Sequence, residues 1–316
     1  MKRLLIYMAC VWVLSGCSPE GTPLLPSSNA IRFISGISVE VTKSGGPVSG
    51  TTLPAGSRIG LCAVSEQTGE GESDKQVVMN NLPGTIGAEG AIDYDPVKYY
   101  ETGRKYAFYA CYPYTSAPNY TDATQMPSIS VSLATHADAQ EDYMWAALPE
   151  VIAAPGGTAA QKFTFRHALC RIRIRVWNGS SGEVPLSGIS LTAPGSGTLS
   201  LPDGSWTEIN ETESNSFTSF TLFHPAEPVE LQKDAFYEVP ASLLQLPIGE
   251  EAMKQQTFSL LIAGETYDIH PSTPAGGWQP GRSYLYTVWY ATDGISFKGT
   301  VEDWNTVSGG DIEPEE

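Results

Sequence analysis

The sequence predicts an all-β chain of two tandem domains, each a sandwich or a barrel. Apolar residues fall in short runs that alternate with polar ones, the pattern of half-buried strands. Turn formers, 31 Gly and 23 Pro, punctuate these runs, and only one weak candidate for an amphipathic helix interrupts them. At 316 residues the chain has the length of two ordinary domains.

The stretch 163–177, FTFRHALCRIRIRVW, organises the rest. Phe163, Phe165 and Leu169 occupy odd positions, whereas Ala168, Cys170, Ile172, Ile174 and Val176 occupy even ones with arginines between them. The change of parity near His167 predicts a bulge, a bend or a short stretch buried on both faces. A breaker-rich passage at 149–157 precedes this stretch, so it reads as the first strand of a second domain. The resulting division is 30–158 for the first domain and 159–308 for the second.

Taken in order, residues 1–16 form a lipoprotein signal peptide, with Lys2 and Arg3 ahead of an apolar segment at 4–13 that is too short to span a bilayer. Leu14-Ser15-Gly16-Cys17 matches a lipobox, which predicts cleavage between Gly16 and Cys17 and lipidation of Cys17. One acyl chain anchors marginally, while two or three hold firmly. Residues 17–29 are a Pro/Ser/Gly-rich tether. In 31–41, Ile31, Phe33, Ile37, Val39 and Val41 share one face, and a flexible turn follows at 42–47. Strands are expected at 58–64, 105–114 and 128–133, with an exposed loop at 66–74; 142–147 fits either a helical turn or a strand. Beyond 177, strands are expected at 186–192, 198–201, 217–223, 236–239, 257–262, 284–290 and 295–304, before an acidic tail at 309–316.

Net charge is −17. Without Lys2 and Arg3, 16 basic residues stand against 35 acidic ones, or −19. Such a chain repels phosphate backbones, which argues against nucleic acid as a partner. Cys62, Cys111 and Cys170 remain once Cys10 leaves with the signal and Cys17 is lipidated. Their odd number leaves at least one free; they read as buried thiols, with a Cys62–Cys111 bridge as the alternative.

The sequence carries no nucleophile elbow, P-loop, C-x-x-C or H-E-x-x-H, so it reads as a non-enzyme without metal or cofactor. His136, His167, His224 and His270 are isolated, and His167 reads as a satisfied core residue. Asp138, Glu141 and Asp142 read as a solvated loop. Arg171, Arg173 and Arg175 read as a stripe paired across strands rather than a seat for an acidic partner. The aromatics read mainly as core, with a sugar platform as the alternative.

Several motifs in order resemble the fimbrillin family, the lipoprotein precursors of type V pilus subunits in Gram-negative bacteria. They are the lipobox at Cys17, the early strand ending at 42–44, Ala55–Gly60, and Tyr106–Ala110 with Pro113. Residues 142–146, the F-x-F-x-H-A-L run at 163–169, Gly277-Trp278-Gln279-Pro280-Gly281 with Tyr284 and Tyr286, and Val301 with Trp304 complete the set. The resemblance implies two tandem transthyretin-like Greek-key β-sandwich domains in an outer-membrane, lipid-anchored surface protein. Its partners would be other pilus subunits, the lipid anchor and a host or bacterial surface ligand. In the family's stalk subunits, cleavage after an arginine in the loop following the first strand opens a groove that a neighbour's strand fills. The matching site here is Lys43-Ser44, with lysine where the family has arginine, so a tip, anchor or accessory subunit fits as well as a stalk subunit. A surface glycan-binding lipoprotein is the alternative.

Overall fold

Strands β1 (Phe33–Ile37), β2 (Arg58–Gln67), β3 (Gln76–Ile86), β4 (Ala91–Tyr94), β5 (Arg104–Tyr112), β6 (Ser128–Ser132), β7 (Met144–Ile152) and β8 (Gln161–His167) make up the first half. The structure, a computed structural model, describes residues 29–37, 53–69, 74–116, 120–154, 157–210, 217–291 and 294–303. All of these strands but β6 join one sheet that closes on itself in the order β1-β4-β3-β2-β5-β7-β8. β2, β3 and β4 form a meander and β5 returns beside β2, a Greek key. Buried Arg104 pins the start of β5 to the end of β2: its Nε donates to Ser65 Oγ at 2.9 Å, and its guanidinium pairs with Asp74 at 3.2 Å. Ile59, Leu61, Tyr106, Phe108, Phe163 and Phe165 fill the interior.

The second half opens with β9 (Cys170–Asn178), β10 (Val184–Ala193), β11 (Ser196–Ser200), β12 (Trp206–Thr207), β13 (Thr218–Phe223) and β14 (Val229–Leu231). It continues with β15 (Ala235–Glu238), β16 (Leu243–Gln245), the single-turn helix α1 (Glu250–Met253), β17 (Thr257–Ile262), β18 (Glu265–Ile269), β19 (Arg282–Ala291) and β20 (Gly294–Asp303). One sheet runs β15-β9-β19-β20, with β16 also on β9; the other runs β13-β10-β17-β18, with β14 also on β10. Ile172, Ile174, Tyr286 and Val288 from the first pack with Leu191, Phe220, Phe258 and Leu260 from the second, giving a sandwich core. The expected all-β architecture of tandem Greek-key sandwich domains is what the chain adopts, with the first sandwich sealed at its edges into a closed sheet.

The Gly277–Gly281 motif is structural. Gly277 has φ of 74°, and a Cβ there would lie 2.1 Å from the Ile248 carbonyl oxygen, so only glycine fits. That close approach seats Trp278, 2% exposed, whose indole donates to Tyr286 Oη at 2.8 Å.

The sheets cut across the expected division in two places, and other local expectations change with them. The stretch 163–177 is two strands, and its first part, β8, pairs in parallel with β1 and briefly with β7, closing the first sheet. Sheet membership therefore changes at Ala168-Leu169 rather than at 159. The reason is local: both residues are fully buried, between a phenylalanine face that points into the first core and an isoleucine face that points into the second. Conversely β6, within 30–158, pairs with β11 of the later half. The expected loop at 66–74 is likewise shortened, because β2 extends to Gln67. Residues 142–147 resolve in favour of strand, since their alternate side chains Met144 and Ala146 enter the first core.

At this crossing, His167 Nδ1 and Asp142 Oδ2 lie 2.8 Å apart, with both side chains 2% exposed. Asp142 is therefore not a solvated loop residue. Removing one member of a buried pair strands the other, at a cost of about 3–5 kcal/mol. Asp142→Ala is expected to lose that much in urea unfolding, and Asp142→Ala/His167→Ala is expected to lose clearly less than the sum of the single variants.

Candidate functional site

β1 is the strand that closes the first sheet. Among the described residues it lies between β4 and β8 and pairs with both: Phe33 and Ile34 pair antiparallel with Ile92 and Ala91, and Phe33–Ile37 pair in parallel with Gln161–Phe165. Backbone bonds from Ile31 N to Lys98 O (2.9 Å), from Tyr100 N to Asn29 O (2.7 Å) and from Gln161 N to Arg32 O (2.8 Å) hold its entry. The Tyr94 hydroxyl donates to Ile31 O at 2.7 Å, and burial raises its pKa, so it stays a donor.

The predicted face is buried as far as the described residues extend: Ile31, Phe33 and Ile37 point inward, and Ile34 is exposed. Phe33 stacks on Phe163 at 4.9 Å and meets Phe108 edge-on at 5.1 Å. Each of these three side chains contributes about 1.5–3 kcal/mol by burial, so the strand is held by several kcal/mol. Ser35 breaks the apolar row. It is 2% exposed, and its hydroxyl has no hydrogen-bond partner among the described residues. A buried hydroxyl left unpaired costs about 1–3 kcal/mol, so β1 fits its groove imperfectly.

Gly16, Cys17, Lys43, Ser44, Val39, Val41, Trp304, the tether up to Ser28 and the acidic tail lie outside the described residues. Cys62, Cys111 and Cys170 are free and buried. Desolvation pushes the Cys62 thiol up to about 11 and the Cys111 thiol up to about 12, and raises Cys170 further, so all three behave as small apolar groups. Among the described residues no cluster of three His, Cys, Asp or Glu could hold a metal. His270 Nδ1 contacts Gln256 O at 2.8 Å, while His136 and His224 are exposed on one rim of the second half. The expected cross-strand pairing of the arginine stripe with carboxylates is seen at Arg173, which pairs with Glu238, whereas Arg171 Nε donates to Ser242 Oγ at 3.1 Å and Arg175 Nε donates to Thr287 Oγ1 at 2.8 Å. Sequence reasoning missed Tyr94 and Ser35. Tyr94 acts from a strand four residues long, and Ser35 reads as an ordinary break in alternation.

A family model described as fimbrillin-like matches residues 47–304 of the chain. No curated protein matches. Among solved structures, a fimbrial protein from Bacteroides vulgatus ATCC 8482 superposes with a TM-score of 0.60 at 14% identity, over 86% of this chain and 99% of that one. A protein from Bacteroides ovatus ATCC 8483, described as a candidate in cell adhesion, gives 0.56 at 18% identity, over 89% and 99%. A similarly described protein from Bacteroides uniformis ATCC 8492 gives 0.53 at 15% identity, over 87% and 98%. At these identities the likeness is one of fold.

Opposite changes in stability should follow from the two kinds of position on β1. Phe33→Ala is expected to cost about 3–5 kcal/mol, whereas Ser35→Ala is expected to stabilise by about 1 kcal/mol or more. Denaturant midpoints compared in one buffer would decide, and a loss of stability in Ser35→Ala would mean that its hydroxyl is satisfied.

Proposed function

The chain belongs to the fimbrillin-like family of fimbrial and cell-adhesion proteins, and we propose that it is a structural and adhesive subunit of cell-surface fimbriae, assembled by strand complementation. Family membership implies a cell-surface location and assembly with other fimbrial subunits. In our reading the precursor is exported, cut between Gly16 and Cys17, and held in the outer membrane by lipid on Cys17. No helix among the described residues is long and apolar enough to cross a membrane.

The observation that carries the reading is the position of β1. Its departure would leave β4 and β8 as two unpaired edges flanking a slot lined by Phe108, Phe163 and Tyr94. Unpaired edges with an apolar slot between them bind an incoming strand, main-chain hydrogen bonds supplying the joint and alternate side chains the register. Cleavage after position 43 would leave β1 attached only through its groove contacts. Lys43 makes an arginine-specific protease a poor agent for this step, so a tip, anchor or accessory role fits as well as a stalk role.

Two measurements test the proposal. Cys17→Ser should abolish fatty-acid labelling and membrane attachment while leaving the fold intact; labelling that persists would refute the lipid anchor. Lys43→Arg should be cut rapidly by an arginine-specific protease, then form SDS-resistant multimers and rebind a synthetic peptide of residues 31–41. Clean cleavage that yields neither multimers nor rebinding would exclude strand complementation for this chain.

A further inference from the structure

The outer face of the sheet β13-β10-β17-β18 carries a groove of about 460 Å³, and we infer that it is a binding site for a neutral saccharide. The volume falls within the range of about 300–1,000 Å³ usual for small-ligand sites. Its floor is shaped by an irregularity in β10. The register of β10 shifts between Leu186 and Gly188 against β17, and again between Ile189 and Ser190 against β13. Gly188 stands at that point without a side chain, and a glycine inside a bulged strand marks close approach by another group.

The walls come from elsewhere. His224 follows β13, and Gly188 lies beneath it, its would-be Cβ 3.7 Å from Nδ1. On the edge-strand side, the segment after β6 is bridged to Thr221, with Thr221 N donating to Thr135 O at 2.7 Å, which raises His136 at the rim.

The chemistry of the lining selects the ligand. Ser190, Thr221, Ser259 and Thr266 present hydroxyls from four adjacent strands, and among the described residues no Asp, Glu, Lys or Arg lines the groove of this strongly acidic protein. Ser259 donates its proton to Asp268 at 2.5 Å, which turns its oxygen outward as an acceptor. The imidazoles offer both donors and acceptors. Half-buried Phe223 and exposed Leu261 supply an apolar floor for the C–H face of a sugar ring. Many neutral hydroxyl partners around a small apolar patch match a polyol, whereas an anion would find no fixed cation and an apolar peptide would desolvate the hydroxyls unpaired.

The inference does not rest on strand exchange at β1, and the experiment uses the intact monomer. Isotope-labelled protein would be titrated with lactose, chitobiose and mannobiose, and amide shifts followed. At least one sugar is expected to move Gly188, Ser190, Thr221 and Thr266 together. Gly188→Leu fills the floor, since the position of its Cβ makes only ordinary contacts with Phe223 O at 3.5 Å and with His224, and should weaken binding about tenfold or more. If that variant does not fold, Thr221→Val with Ser259→Ala removes two hydroxyls with little change of volume and should weaken binding likewise. Absence of response to all three sugars, or responses that survive these substitutions, would overturn the inference.

Discussion

A strand of period two can feed only one core, and this chain needs one continuous segment to feed two. The constraint falls on Ala168 and Leu169. Phe163 and Phe165 face the first core from odd positions, and Cys170 to Val176 face the second from even ones. Both residues between them are fully buried, so their backbone groups must find partners inside the protein. They do. Ala168 N donates to Tyr143 O, Trp206 Nε1 donates to Ala168 O at 2.9 Å, and Gly281 N donates to Leu169 O at 2.9 Å. Those partners come from segments as distant in sequence as 143, 206 and 281. A one-residue slip here would turn every side chain of β9 to the wrong face. The His167–Asp142 pair adds a directional lock at the same point, where an aliphatic pair would fill space without fixing register.

β1 stands at the opposite extreme. It is five residues long, pairs with its neighbours over short stretches, and buries a hydroxyl in the middle of its apolar row. β8, its parallel partner, buries Phe163 and Phe165 completely and continues into the crossing. A strand that completes a closed sheet with several kcal/mol of apolar contact, yet with an unsatisfied group, is stable while covalently attached. In the proposed exchange, a strand that carries an apolar residue opposite Phe163 would take its place. The cost of an open edge would drive closure, and the imperfection at Ser35 would bias which strand closes best.

The alternation in Arg171-Ile172-Arg173-Ile174-Arg175 made β9 legible, because one face is wholly apolar and the other wholly charged. The parity change beside it located the crossing but not its meaning, since periodicity cannot tell a bend within one domain from a passage between two cores. β3 escaped notice for a local reason: Asn80-Asn81-Leu82-Pro83 has the composition of a turn, and Asn81 adopts a φ of 46° where the register of β3 against β2 shifts. β18, Glu265–Ile269, is an edge strand with mostly exposed side chains, and edges carry little apolar pattern. The aromatics read mainly as core, with a sugar platform as the alternative, and Trp278 tests that reading. Its burial against Tyr286 and the backbone clash that forces Gly277 decide for core. The groove was invisible to sequence because single hydroxyl residues from four strands meet only through the register of the sheet.

The closing strand and the groove therefore belong to different parts of the molecule, and the physical question is whether one disturbs the other. Exchange at β1 would change hydrogen bonding on β4, on β8 and at Lys98 and Tyr100, none of which borders the groove. The one wall that could transmit a change is the segment bearing His136, which lies on the way to β7 and so to β8. That segment is held by the second half instead. Gln140 accepts from Leu244 N at 2.7 Å and donates to Ala134 O at 3.0 Å, while Thr135 O accepts from Thr221 N. Beyond Gln140, the buried Asp142–His167 pair fixes the chain again before β7 begins. With the wall clamped at both ends, strand replacement in the first half leaves the groove's geometry as it is, and a surface for recognition can coexist with a joint for assembly.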